Sequence, residues 1–394
     1  MMGFTVFLAS MALALVVFAL TAIYSAEILA AVLSRKTLFR NGAERPTAAI
    51  LIPAHNEEKG LQAMLDGLRP SLCAGDRMVV IADNCTDATE AIARAAGAEV
   101  VVRNDDSRRG KGYALDAGVT YLKPDAPAVV VIVDADCRLE KGALDALVRS
   151  AAATGRPSQA RYLMKAPVKR ISLQVAEFAF LLKNHVRARG LNRLGAPCQL
   201  AGSGMAFPWA ILCDADLAHG DLVEDLRLGL ELAEAGKAPV FREDAIVLSA
   251  FPTSNAGAHS QRQRWVQGHM TMMVKALKMI PAALKRFDFA SIAMALDVLI
   301  PPLSLLVGLQ LLSLSVALVS GGLLATGWTP AILASLSLLL FFATTFAAWA
   351  LYGRQALPTR SLIGVVPFVA ARLLRYPLML VASRQTEWKR ADRS

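Results

Sequence analysis

The sequence predicts a mostly parallel α/β domain flanked by transmembrane α-helices. Three observations carry this reading: uncharged apolar runs of spanning length near both ends, a middle where short apolar runs alternate with helical spacing, and polar residues wherever a strand ends. Of the 394 residues, 55% are hydrophobic and only 19% charged, with mean hydropathy +0.43. The apolar excess lies at the ends, so the middle keeps the composition of a soluble domain.

Phe4 to Tyr24 is apolar and uncharged, long enough to cross a hydrocarbon core at 1.5 Å rise per residue. A cleaved signal peptide is the alternative, but no Lys or Arg precedes the run. Arg35, Lys36, Arg40 and Arg45 follow it instead, which predicts an uncleaved anchor with residue 35 onward in the cytoplasm. Val298 to Val319 and Ala331 to Leu351 are two further runs joined by an uncharged link, Ser320 to Pro330. Arg354 and Arg360 then return the chain to the cytoplasmic side. Ser361 to Ala382 is interrupted by Arg372 and Arg375, so it is expected to be interfacial or re-entrant. Residues 354–394 carry eight Lys/Arg against two Asp/Glu, a tail suited to anionic headgroups.

The net charge of +10 raises the question of nucleic acid. Its concentration beside the apolar runs, with no reader motif between, argues against that partner. Cys73, Cys85, Cys137, Cys198 and Cys213 form no C-x-x-C pair, which on a cytoplasmic domain implies reduced thiols and no structural zinc.

Within the middle, Thr47–Ile52, Met78–Ala82, Glu99–Val102 and Ala128–Val133 read as strands. Glu57–Leu68, Ala88–Ala96 and Ala114–Tyr121 read as the helices between them. Six consecutive apolar residues from Ala128 predict a central strand buried on both faces. In such sheets ligands bind at the carboxyl ends of the strands.

Those ends carry Pro53-Ala-His55-Asn56-Glu57-Glu58, Asp83-Asn-Cys-Thr-Asp87, Arg109-Gly-Lys111-Gly112 and Asp134-Ala-Asp136. Turn preference alone accounts for any one of them; four at one edge point to a site. Strand side chains alternate faces, so Asp134 and Asp136 point the same way. Their mutual repulsion is relieved by a cation, and Mg²⁺ or Mn²⁺ takes oxygen ligands while bridging to phosphate.

Asp221 to Gly236 is expected to be an amphipathic helix, with Asp221 capping its N-terminus, Glu224 completing a capping box and Gly236 ending it. That accounts for Glu224 structurally and leaves Asp225 as the candidate general base. Gln261-Arg-Gln-Arg264-Trp265 fits either a basic segment at the membrane surface or a diphosphate and sugar contact through Arg264 and Trp265.

Taken in order, Ile52–Glu58, Asp83–Asp87, Lys111-Gly112, Asp134-Ala-Asp136, Glu224-Asp225 and Gln261–Trp265 resemble the family 2 glycosyltransferases of GT-A (Rossmann-like) fold, the group that includes cellulose, hyaluronan and chitin synthases. Val223 stands where that family often has Thr. The resemblance implies a metal-dependent, inverting hexosyltransferase. Its nucleotide-sugar donor, a UDP-sugar by expectation, would contact Pro53, His55, Asn56, Glu57, Asp83, Lys111 and Asp134. Asp136 would hold the divalent cation (Mg²⁺ or Mn²⁺) and Asp225 would be the base. Gly202, Gly204, Glu224, Gln261, Arg264 and Trp265 would line the acceptor and diphosphate side.

The expected organisation is an anchor over 1–34, a cytoplasmic GT-A domain over 35–270, interfacial helices over 271–297, two transmembrane helices over 298–353 and the basic segment 354–394. This places a multi-pass protein in the plasma (inner) membrane. The expected acceptor is membrane-associated, a polyprenyl-diphosphate-linked saccharide in exopolysaccharide or cell-surface glycan assembly. A processive polysaccharide synthase and a transferase acting on a ceramide-like lipid remain alternatives. A scaffold keeping a degenerate transferase domain would lack a catalytic acid, and none is missing. A nucleotidyltransferase could share the sheet and the acidic pair but has no need of Gln261–Trp265.

Overall fold

The computed structural model describes residues 2–34 and 44–381. Arg35, Lys36 and Arg40, which bear on the orientation of the first run, and residues 382–394 of the basic tail lie outside the described residues. Among the described residues, the middle of the chain forms one eight-stranded sheet: β1 (Ala48–Ala54), β2 (Arg77–Asp83), β3 (Glu99–Arg103), β4 (Val129–Ile132), β5 (Arg138–Leu139), β6 (Ser158–Lys165), β7 (Met205–Pro208) and β8 (Val240–Ala250). Their order is β3-β2-β1-β4-β7-β6-β8-β5. The first four run parallel, with Ile50 beside Met78 on one side and Val131 on the other.

Parallel pairing stops at the centre, where β7 joins β4 antiparallel, Val130 opposite Phe207. Beyond it β6 and β8 are parallel to each other, while the β6–β7 and β5–β8 pairs are antiparallel. The sheet is therefore mixed, with its parallel half as expected and a second half that periodicity did not reveal.

The continuous apolar runs are explained by burial on both faces. Ile50, Ile52, Val129 and Val131 enter one core with Leu61 and Leu65 of the Leu61–Leu68 helix and Leu144 and Leu147 of the Ala143–Thr154 helix. Leu51, Val130 and Ile132 enter the opposite core with Leu115 and Val119 of the Lys111–Leu122 helix and Leu228 of the Glu224–Glu234 helix. With helices covering both faces, the strand ends are the edge left free for ligands.

Among the described residues, three helices are long and apolar enough to cross a membrane: Gly3–Leu33, Leu303–Leu324 and Thr329–Gly353. They pack together around Tyr24, Ile28, Leu306 and Phe341, and polar pairs such as Ser25 with Thr344 and Ser337 with Thr21 link them. Leu362–Val381 is one continuous helix. The Asn255–Lys285 helix runs unbroken through residue 270, so the expected boundary there falls inside a single element. Val274, Leu277 and Leu284 on it, and Phe287 and Phe289 after it, expose apolar side chains.

The spans and the domain share structure. Phe178, Leu182 and Val186 join the core of the spans, and buried Arg187 donates to Glu27 Oε2 at 2.6 Å and also pairs with Asp297. Gly190 sits so close to the first span that a Cβ there would lie 1.8 Å from the Glu27 carbonyl oxygen. We therefore expect Gly190→Ala to destabilise by about 1–3 kcal/mol through forced separation of these helices. Thermal unfolding in detergent checks this against Gly60→Ala, which meets nothing within 4 Å and should stay within about 0.5 kcal/mol of the parent.

Candidate active site

The ends of β1, β2 and β4 and the start of the Lys111–Leu122 helix converge on one cleft, lined by Pro53, His55, Glu57, Asp83, Gly110, Lys111, Asp134, Asp136, Gln261 and Arg264. Most of the residues singled out from sequence thus meet in one place. At the β2 side, Asp83 is buried and held by Arg103 Nη1 at 2.6 Å. His55 Nδ1 lies 2.7 Å from the Asp83 carbonyl oxygen; a carbonyl only accepts, so Nδ1 carries the proton.

Asn56 serves differently. In a left-handed conformation (φ 56°), its Oδ1 accepts from the Thr86 backbone N–H at 2.7 Å, joining the β1 and β2 loops outside the cleft lining. Asn tolerates that conformation better than most residues.

Lys111 is the hub of the opposite wall. Its ammonium lies 2.5 Å from Asp134 Oδ1 and 3.6 Å from Glu224 Oε1, and donates to the Gly202 carbonyl at 2.6 Å. Burial alone would lower the lysine pKa; Asp134 and Glu224 more than offset it, and the pKa is raised. Gly202, at φ 85°, fits between Lys111 and Asp225: a Cβ there would lie 3.3 Å from Asp225 Oδ2 and 3.7 Å from Lys111 Nζ. Gly204 instead lies in the sheet, its N–H donating to Ile132 O at 2.9 Å.

The capping box expected at Asp221 does not form. The Glu224–Glu234 helix begins after Val223 with no side-chain cap, and Asp221 pairs with Arg227 at 2.8 Å. Glu224 is therefore a site residue facing Lys111, and capping no longer explains it. Burial raises the carboxyl pKa of both Glu224 and Asp225; Lys111 opposes the shift at Glu224, and Lys183 followed by Lys111 opposes it at Asp225. Arg264 belongs to the same cluster, since burial lowers its pKa against the pull of Glu224, Asp134 and Asp225.

Trp265 does not line the cleft. Its ring packs on Phe180 at 5.8 Å between centroids and joins the sheet core. Ser249, Ser203 and Arg103 were missed by the sequence reading. Ser249 Oγ donates to Asp136 Oδ2 at 2.9 Å, and Ser203 Oγ accepts from the Asp134 N–H at 3.1 Å. Ser249 lies on β8, a strand that was not read. Arg103 directly follows the third strand that was, and Ser203 sits inside the Gly202-Ser-Gly204 loop.

Asp134, Asp136 and Cys137 offer ligand atoms within 4.8 Å of one another. Burial pushes the Cys137 thiol up to about 12, so it stays protonated at neutral pH and is no ligand for a hard cation. The usable donors are carboxylate oxygens, which suits Mg²⁺ or Mn²⁺. Asp134 is paired with the Lys111 ammonium, whereas Asp136 accepts from the neutral Ser249 hydroxyl.

An α/β sheet with an acid pair beyond its central strand and a second acid pair across the cleft defines a GT-A glycosyltransferase domain. The chain belongs to the family described as "Glycosyltransferase like family 2", whose profile matches residues 46–268. Among curated relatives, 4,4'-diaponeurosporenoate glycosyltransferase of Staphylococcus haemolyticus is 26% identical over 241 residues, 58% of this chain and 62% of the relative. Glucosyl-3-phosphoglycerate synthase of Mycobacterium tuberculosis is 35% identical over 97 residues, 23% of this chain and 29% of the relative. The chain thus spans less than two thirds of the length of these relatives. Among solved structures, a mannosyltransferase of Pyrobaculum calidifontis in complex with GDP-Man and Mn²⁺ aligns with TM-score 0.55 at 19% identity, over 88% of this chain and 98% of that one. At that identity the likeness concerns the fold.

Lys111→Met would leave two half-buried carboxylates without their cation. We expect a loss of about 1–3 kcal/mol at pH 7, less than for a fully buried pair because these side chains keep some contact with water. Because the lysine pKa is raised in the fold, its contribution is complete below the unfolded lysine value and disappears only as pH climbs through the higher folded value. Unfolding of parent and variant is compared at pH 7, below the unfolded lysine value; a variant as stable as the parent there would contradict the pairing.

Proposed function

We propose that the protein is an inverting, metal-dependent hexosyltransferase moving a sugar from a nucleotide sugar, by preference a UDP-sugar, to a membrane-associated acceptor. The observation that carries this reading is the opposition of Asp134 and Asp136 to Glu224, Asp225 and Arg264 around Lys111. A donor diphosphate in the cleft would meet Lys111 and Arg264, whose positive charge stabilises the leaving group as it forms. Asp136, with Asp134 beside it, would hold the divalent cation, which supplies further charge neutralisation at the diphosphate. Asp83, His55, Glu57 and Pro53 line the same cleft and would take the nucleoside.

Asp225 takes the proton of the acceptor hydroxyl as that oxygen attacks the anomeric carbon and the bond to the diphosphate breaks. Its raised pKa makes it a stronger base than an ordinary aspartate while leaving it ionised at higher pH. Glu224 is bound to Lys111 and serves the charge balance instead.

A membrane acceptor is favoured by the way the Glu224–Glu234 helix packs. Leu226 and Leu230 share a core with Met272, Met279, Met294 and Val298, beside the exposed Val274, Leu277, Phe287 and Phe289. This apolar surface suits the interface of a plasma membrane with the domain on its cytoplasmic side. A lipid-linked saccharide in cell-surface glycan assembly fits such a site. Three candidate spans give little wall for the channel that a processive synthase needs.

Asp225→Asn should lower kcat by at least about 10²-fold while binding of UDP is kept, read by donor turnover in detergent with native lipid extract. The parent rate should rise with pH through an apparent pKa above the ordinary aspartate range, since the base must be deprotonated; near-parental turnover in the folded variant would refute the assignment.

A further inference from the structure

We infer that Gly268 and Val223 are positioning residues, whose contact fixes how far the Glu224-Asp225 acids stand from Arg264. This rests on the reading above of Asp225 as the base of a transferase and Arg264 as a cation at its leaving group. Neither Gly268 nor Val223 lines the cleft; both act through a neighbour that belongs to the site.

Val223 is the last residue before the Glu224–Glu234 helix, whose first turn has no side-chain cap. Its side chain lies against the buried Gly268 of the Asn255–Lys285 helix. A Cβ at Gly268 would lie 2.6 Å from Val223 Cγ1 and 2.9 Å from Cγ2. Carbon atoms in contact stand about 3.5–4.0 Å apart, so the valine fills the space that a side chain would take. Gly268 is inside a helix, where alanine is the better former at an open position. What the glycine provides is room for Val223. Val223 also packs on the core that holds Met272 and Leu226, an apolar setting that suits valine where the family often has Thr.

Residues three and four apart share one face of a helix, so Gln261, Arg264 and Gly268 look to the same side. Gln261 and Arg264 line the cleft with Lys111 and Asp134. One turn further on, Gly268 meets the residue that leads into the two acids. The helix is pinned around that turn. Trp265 packs on Phe180 at 5.8 Å between centroids, His269 Nε2 donates to the Ile300 carbonyl at 3.0 Å, and Met272 enters the core with Leu226 and Leu230. Valine is stiff at χ1 and cannot turn its methyl groups aside. An added methyl at Gly268 would therefore shift one helix against the other by about 1 Å, the shortfall from ordinary contact. A misplacement of about 1 Å in a catalytic constellation can cost on the order of 10²-fold in rate.

The test compares the parent, Gly268→Ala, Val223→Ala and the double variant, each as full-length protein in detergent. Two quantities are read: nucleoside diphosphate release from UDP-hexoses and GDP-hexoses with native lipid extract, and thermal unfolding. Gly268→Ala should lower kcat by about 10–100-fold and leave the donor KM within about three-fold, the split expected when geometry and not uniform binding is lost. Truncating the valine removes the two closest contacts and leaves its Cβ at 3.3 Å. The double variant should therefore regain most of the lost turnover and unfold at a higher temperature than Gly268→Ala. Independent roles predict the reverse, because Val223→Ala by itself removes packed methyl groups and lowers the unfolding temperature. Parental kcat in Gly268→Ala, or a double variant no more active than Gly268→Ala, overturns the inference. If Gly268→Ala alone does not fold, a double variant that folds and turns over donor supports it, and one that also fails to fold overturns it. A parent without turnover, in a series where the double variant still recovers stability, refutes the transferase reading and leaves the contact between the helices standing.

Discussion

The site depends on keeping several half-buried acids beside one another. Asp134, Glu224 and Asp225 are brought within reach of a single ammonium, that of Lys111, whose third contact is the Gly202 carbonyl. Carboxylates so placed would otherwise take up protons or force the wall apart. Lys111 can stand there because the Lys111–Leu122 helix packs Leu115 and Val119 onto the sheet, and because Gly112, where a Cβ would lie 2.5 Å from two backbone oxygens, lets the 217–219 loop close over it. Sheet packing and charge balance are thus one constraint.

The same logic recurs beside the candidate spans. Arg187 is buried between Glu27 of the first span and Asp297, and Asp297 in turn holds Gln199. This chain of contacts runs from an apolar helix to the loop containing Gly202, so the position of that helix and that of the cleft wall beside Lys111 are mechanically joined. Buried ion pairs of this kind contribute little net stability; what they fix here is geometry.

Much of this was legible in the residues. Four parallel strands declared themselves as apolar runs bounded by turn residues, because burial on both faces demands unbroken Val, Ile, Leu and Ala. The second half of the sheet did not. β6 reads Ser158-Gln-Ala-Arg-Tyr-Leu-Met-Lys165 and β8 includes Arg242, Glu243 and Asp244, charges tolerated only because partners such as Arg189 meet them across the fold. The site followed the same division. Asp134, Asp136, Lys111 and Asp225 could be placed from strand ends and spacing, whereas Ser249 became visible only with β8. The capping box was misread because Asp221-x-x-Glu224 imitates one; Lys111 and Arg227 draw the two acids elsewhere, whereas the resemblance already put Glu224 beside the cleft. Trp265 was misread because its packing partner, Phe180, lies far away in sequence.

The central claim is that the acid pair after β4 holds the diphosphate end of a nucleotide through a divalent cation. Equilibrium binding of UDP to purified protein, with Mn²⁺ and then with the cation removed by EDTA, tests it most directly when repeated on Asp136→Asn. The account requires tight binding with Mn²⁺, a loss of ten-fold or more on its removal, and no response to Mn²⁺ in the variant. Binding of UDP that is equal with and without the cation, or a variant that responds as the parent does, would contradict it.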